Sequence, residues 1–201
     1  MLRLYDYLAS GNGYKVRLLL RLLDIPFERV EVDILRGESR TTEFLAKNPE
    51  GRIPVLRLDD GTHLFESNAI ACYLAEGTPY LPGERLARAQ VLQWMFWEQY
   101  SHEPNIATVR HWVTHVGVPE EKRALFEQKR ALGVRALSVM EGHLEGRAYF
   151  VGDRFSVADI ALYAYTHVAP EGGFDLAPYP RVRAWLDRVR DRSRFTPITQ
   201  P

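Results

Sequence analysis

Asn48-Pro49-Glu50-Gly51-Arg52-Ile53-Pro54-Val55-Leu56, followed by Glu66-Ser67, brings together residue types that can hold a small peptide. Proline cannot donate to a β ladder, so Pro54 should open a strand rather than sit inside one. A cis Ile53–Pro54 bond, cheap only before proline, would turn the backbone of Ile53 outward. Its N–H and C=O could then pair with an extended ligand. Ser67 reads as the N-cap of a helix, where bare N–H groups and the helix dipole favour a carboxylate. Glu66 offers an anion for an amino group. Backbone pairing, a carboxylate cup and an amine holder together describe a site for a small peptide.

A second constellation, Ser10-Gly11-Asn12-Gly13, follows the first predicted strand and leads into a helix. Ser10 can cap that helix and Asn12 can support the turn, or either can present a polar group to a ligand at the helix's positive end. A Cys-x-x-Cys pair is absent there, which excludes dithiol chemistry by the protein itself, and the single cysteine, Cys72, reads as an inert thiol within a helix. His102, His111, His115, His143 and His167 lack metal-ligand spacing, and no Glu follows His111 to complete a metalloprotease motif. No metal site is expected.

The elements that must position these groups follow from periodicity and punctuation. Leu2–Tyr7 alternates as a strand, and Val16, Leu19, Leu20 and Leu23 form a helical stripe, with Leu18 and Leu22 indicating a second buried face. Phe27–Ile34 is a second strand, Thr41–Ala46 a short polar helix and Pro54–Leu58 a third strand. Asp59-Asp60-Gly61 signals a hairpin into His63–Phe65, before the helix that carries Ile70, Tyr73 and Leu74. The order β-α-β-α-β-β-α implies a thioredoxin-like α/β domain with a mixed four-stranded sheet over residues 1–76. Residues 77–83, rich in Pro and Gly, form a linker. Residues 84–201 show no strand pattern and read as an all-α helical domain. Its helices are expected over Glu84–Tyr100, with an apolar face through Leu86, Leu92, Met95 and Phe96, over Glu120–Glu145, and after Pro180. Ser156 and Asp159 form a capping-box pair, with Phe155 and Ile160 as its hydrophobic staple.

Composition narrows the function classes. Twenty-six basic residues balance 26 acidic ones, so nothing favours nucleic acid or a membrane surface. No apolar run approaches the roughly 18 residues of a membrane span. An early Asp6 disfavours a signal peptide, and a lone cysteine suits a reducing compartment, so a cytoplasmic location is expected.

Taken in order, Ser10–Val16, Asn48–Leu56, Glu66–Ile70 and Phe155–Ile160 resemble the soluble glutathione S-transferase family over nearly the whole chain. Glu98–Pro104 is similar to a bacterial branch of the family, and the Ser-x-Asn-Gly pattern is similar to the bacterial nu-type enzymes and to the serine-using theta and phi types. The resemblance implies glutathione as co-substrate and a homodimer. It implies that Ile53, beside Pro54, pairs with the cysteinyl unit, that Ser67 binds the γ-glutamyl carboxylate and Glu66 its amine, and that Arg40 and Arg52 reach the glycyl carboxylate. It also implies that Ser10 or Asn12 contacts the sulfur, and that Tyr14, Tyr100, Asn105, Tyr163 and His167 line a pocket for a small hydrophobic electrophile. Conjugation is the leading expectation. Glutathione-dependent disulfide or peroxide reduction and a non-catalytic docking module are the alternatives. Where several branches place an aromatic residue that plugs into the neighbouring subunit, this chain has Glu50, which implies a more polar interface.

Overall fold

The computed structural model describes residues 1–201 and divides into two compact units. The first comprises Met1–Glu76 together with Ser193–Pro201. Its elements are β1 (Leu2–Asp6), α1 (Gly11–Leu22), β2 (Phe27–Glu31), α2 (Thr42–Leu45), β3 (Val55–Arg57), β4 (His63–Phe65) and α3 (Ser67–Ala75). The sheet order is β2-β1-β3-β4, with β2 parallel to β1 and the other two pairings antiparallel. Leu4 stands opposite Arg29 on one side and Leu56 on the other. The alternation in β1 turns Leu4 and Asp6 into the interior. Helix α1 buries nearly its whole circumference, which is why Leu18 and Leu22 fall off a single stripe. Val32, Phe44 and Val55 form a cluster with Tyr5 and Ile53 packed against it. The Ile53–Pro54 bond is cis.

The second unit, Gly77–Arg192, is helical: α4 (Arg85–Trp97), α5 (Glu103–His111), α6 (Arg123–His143), α7 (Val157–Thr166) and α8 (Pro180–Arg190). A π-helical turn over Glu98–His102 joins α4 to α5, and a second covers Trp112–Val116. Helix α7 is buried throughout and starts at the expected capping box, Ser156 with Asp159. Asp159 also accepts from the Phe150 N–H at 3.1 Å and from Trp185 Nε1 on α8 at 3.0 Å, so one carboxylate fastens three segments.

Two expectations are corrected. The apolar face assigned to α4 includes Leu86 and Phe96, yet both are exposed, Phe96 to 72%. The buried stripe runs through Val91, Trp94 and Met95 and continues into Glu98 and His102, polar residues that conceal its true direction. The last nine residues, assigned to the helical domain, instead belong to the first unit. Their carbonyls satisfy donors on α1: Tyr14 Oη gives its hydrogen to Thr196 O at 2.6 Å, and Arg17 Nη1 donates to Ile198 O and Gln200 O at 3.1 and 2.7 Å.

Candidate functional site

Ser10 is the N-cap of α1, in extended conformation, and its Oγ accepts from the Gly13 N–H at 3.2 Å. Accepting that bond leaves the hydroxyl proton for another acceptor at the positive end of the helix. Asn12 lies within the first turn, half-buried, where its Oδ1 receives the Ser67 hydroxyl at 3.3 Å. Lys15, one turn further along α1, is fully buried, with Nζ 3.5 Å from Ser67 Oγ. The candidate sulfur loop and the candidate carboxylate cup are therefore linked by side chains within one unit.

Beneath that loop sits a buried ion pair. Asp6, at the end of β1, accepts from Arg17 Nε at 2.7 Å, and Arg17 Nη2 donates to Leu8 O just before the loop. Burial pushes the Asp6 carboxyl up to about 7 against the pull of Arg17 and Arg29. Gly13 is required here, because a Cβ at that position would lie 1.5 Å from Asp6 Oδ1.

The start of α3 differs from expectation in one detail. Ser67 is the first helical residue rather than the cap. The cap is Glu66, whose φ of 68° and ψ of 106° fall outside the regions comfortable for an L residue. Strain of this kind persists only where surrounding structure imposes it, and it costs on the order of 1–3 kcal/mol. The result is an exposed carboxylate beside a buried hydroxyl at a helix N-terminus.

The Asn48–Ile53 turn is fixed by its own bonds. Asn48 Nδ2 donates to Arg52 O at 2.8 Å, and Asn48 Oδ1 accepts from the Glu50 N–H at 3.1 Å. Arg40, in a 3-10 turn over Glu38–Arg40, donates from Nη1 to Glu50 O at 2.8 Å. Gly51 takes φ 61° and lies so close to Arg40 that a Cβ would be 2.8 Å from Nη1. Arg52 is exposed. Ile53 lies outside the paired register of β3, so its N–H and C=O stand apart from the ladder.

The five pocket candidates separate. Tyr100, 88% exposed, and Asn105 line a hollow of about 540 Å³ in the helical unit with Trp97, Lys129 and Arg135. Of the other three, Tyr14 and Tyr163 are core residues and His167 is half-buried. Tyr14 is wholly buried, with its hydroxyl on Thr196 O. Tyr163 is buried and stacked on His167 at 4.6 Å between ring centroids. Burial raises the Tyr163 phenol to about 12 and lowers the His167 imidazole to about 4, where its Nδ1 faces Tyr163 O. An aromatic residue at helical spacing reads the same from sequence whether it faces a pocket or the core. Lys15 and Arg17 escaped the sequence reading altogether; the available signal was two cations in a helix predicted to be buried on two faces.

Comparison with known proteins gives consistent matches. Residues 9–76 match the model of the glutathione S-transferase N-terminal domain, and residues 96–193 that of the C-terminal domain. The disulfide-bond oxidoreductase YfcG of Escherichia coli K12 is 32% identical, over 96% of this chain and 91% of its own length. The crystal structure of a glutathione S-transferase from Pseudomonas fluorescens superposes with a TM-score of 0.96 at 53% identity, covering 98% of each chain. A glutathione transferase from Burkholderia graminis, crystallised with two glutathione molecules per subunit, gives 0.83 at 29% identity, covering 96% of this chain and 85% of its own.

Proposed function

Because this chain belongs to the glutathione S-transferase family, we propose that its first unit binds glutathione and keeps the sulfur ionised for attack on small electrophiles. The observation carrying this reading is the side-chain link from the Ser10–Asn12 loop to the N-terminus of α3. A free thiol has a pKa near 8.5, and the thiolate is the nucleophile. The Ser10 hydroxyl, accepting from Gly13 on one side, donates its proton toward the sulfur on the other. Together with the dipole of α1, such a bond lowers the thiol pKa by about one to two units. Thiolate then predominates near neutral pH. The Asn12 side chain, engaged by Ser67, holds the loop in register with the carboxylate cup. Ile53 pairs with the cysteinyl backbone, Glu66 holds the γ-glutamyl amine, and Arg40 and Arg52 reach the glycyl carboxylate, a geometry suited to a guanidinium fork. In conjugation the thiolate forms a C–S bond while the leaving group departs with its electron pair.

Thiol–disulfide exchange is the second reading, favoured by the 32% identity to a protein named a disulfide-bond oxidoreductase. Here the bound thiolate would attack one sulfur of a disulfide R–S–S–R, forming a mixed disulfide with glutathione as the other sulfur departs as thiolate and is protonated. A second glutathione would complete the reduction, since the loop has no cysteine and Cys72 is half-buried elsewhere. In both readings the enzyme works as a homodimer in the cytoplasm. No helix of the chain is long and apolar enough to cross a membrane.

The test is a glutathione titration followed by thiolate absorbance at about pH 7. A saturable band is expected, and its absence would remove the proposal. Turnover of an aromatic halide against a mixed disulfide then ranks the two reactions.

A further inference from the structure

Leu8 enters the Ser10 loop with both of its backbone polar groups held by charged side chains. Its N–H donates to Glu31 Oε1 at the end of β2 at 3.2 Å, and its C=O accepts from Arg17 Nη2 on α1. Beside it, Tyr7 O accepts the Ser10 N–H at 2.8 Å and closes the turn. Arg17 is itself held by Asp6, whose Oδ2 takes the Nε hydrogen at 2.7 Å, and both side chains are buried. Asp6 stands opposite Glu31 in the sheet and Leu4 opposite Arg29, so Asp6, Glu31 and Arg29 share one face. Arg29 pairs with Glu31, and Tyr14 is a further titratable group on α1 whose charge bears on Arg17. Strand β3 pairs with β1 over Arg3–Tyr5 and stops short of Asp6, while the tail offers Arg17 the carbonyls of Ile198 and Gln200.

The charge on Asp6 balances this group. With Asp6 ionised, two carboxylates meet two guanidinia, and a charge-assisted bond keeps the Arg17 fork aligned on Leu8 O. With Asp6 protonated that bond weakens, and the repulsion between Arg17 and Arg29 is left with one carboxylate to offset it. The brace on Leu8 then slackens two residues ahead of Ser10. Burial pushes the Asp6 carboxyl up to about 7, so both forms are populated near neutral pH.

We propose that Asp6 is a positioning residue for the thiolate: its ionised carboxylate, acting through Arg17 and Leu8, keeps the Ser10 hydroxyl where it meets the sulfur, a role that rests on Ser10 being the sulfur contact. Two protons, one from the thiol and one from Asp6, must therefore leave before the complex reacts at full rate.

The pH dependence of kcat/KM for an aromatic halide at saturating glutathione reads the ionisations of the glutathione complex. Below about pH 6 the slope of log kcat/KM against pH should approach about 2 in the wild-type protein, with circular dichroism confirming the folded state at each pH. Asp6→Asn keeps an acceptor for Arg17 but does not titrate. It should lower kcat/KM about 2- to 30-fold at about pH 8 and reduce the acid slope to about 1. A variant that is slower at every pH with the slope unchanged would make Asp6 purely structural and overturn the proposal. So would a wild-type slope of about 1 alongside a normal thiolate band, a result that needs no variant to fold and leaves the glutathione reading standing. If the wild-type protein shows neither turnover nor a thiolate band, the glutathione reading itself falls and the role of Asp6 with it.

Discussion

The two loop residues that the sequence left equivalent make different contacts in the structure. Ser10 faces the open end of α1 with its hydroxyl proton available, while Asn12 turns toward Ser67. Ser10→Ala should lower kcat about 10- to 100-fold with little change in KM, since the lost bond is to developing thiolate. Asn12→Ala should chiefly raise KM, because the Ser67 hydroxyl loses its acceptor. Parallel kinetics over a range of glutathione concentrations would check both, and equal kcat losses would reverse the assignment. Glu66 carries the opposite kind of signature. Its φ of 68° is a conformation glycine adopts freely. Glu66→Gly should relieve about 1–3 kcal/mol of strain against about 0.4–1 kcal/mol of added chain entropy. The variant should therefore unfold no earlier in urea than the wild-type protein while binding glutathione more weakly. Lower stability together with intact binding would contradict this account.

Among the elements, α1 carries the densest constraints. It presents Ser10 and Asn12 at its head, Lys15 toward α3, and Tyr14 and Arg17 toward the returning tail. Gly13 lets it approach β1, since Asp6 Oδ1 occupies the space of a Cβ. Gly13→Ala should destabilise the protein by about 4 kcal/mol or more, read as a lower urea midpoint. Adding Asp6→Ala should recover part of the loss, so that the pair is less harmful than the sum. The β-α-β-α-β-β-α order was legible because its cues are local, such as the Asp60-Gly61 turn and the alternation in β1, and the start of α7 was legible from the Ser156–Asp159 box. The burial of α4 was not, because its inner stripe ends in Glu98 and His102 rather than in apolar residues. Tyr14 and Tyr163 were misread for a related reason. A tyrosine whose hydroxyl meets a backbone carbonyl, as Tyr14 does, is content inside a core, and that carbonyl lies 182 residues away in sequence.

For the whole molecule, the buried titratable groups pull stability in opposite directions as the solution becomes acidic. His167 has its folded pKa lowered to about 4, below the usual 6.5. The unfolded chain therefore takes up that proton first, and the stability His167 contributes at neutral pH is lost as pH falls through 6.5 toward 4. Asp159 behaves oppositely. Its folded pKa is raised from 3.8 to about 6, so its contribution is largest at low pH and declines as pH rises through that interval. Asp6, raised to about 7, adds to the second trend. Replacing His167 with Gln should remove one side of this balance. Relative to the wild-type protein, the variant should gain about 2 kcal/mol in unfolding free energy between pH 6.5 and 4.5, measured from urea midpoints. A constant offset across that range would mean the imidazole is not the source.

Deleting residues 193–201 would leave Arg17 and Tyr14 without acceptors at Ile198, Gln200 and Thr196. Destabilisation by about 2–4 kcal/mol is expected, with KM for glutathione raised because Arg17 also braces Leu8. Both should show in urea titrations and steady-state kinetics. The same strap fixes a timetable for synthesis. A ribosome delivers the sheet and α1 first, but the carbonyls that finish their packing follow every helix of the second unit. The nascent sheet and α1 must wait until the second unit has been made before they are complete, so a chain stalled ahead of residue 193 would leave Tyr14 and Arg17 without these acceptors.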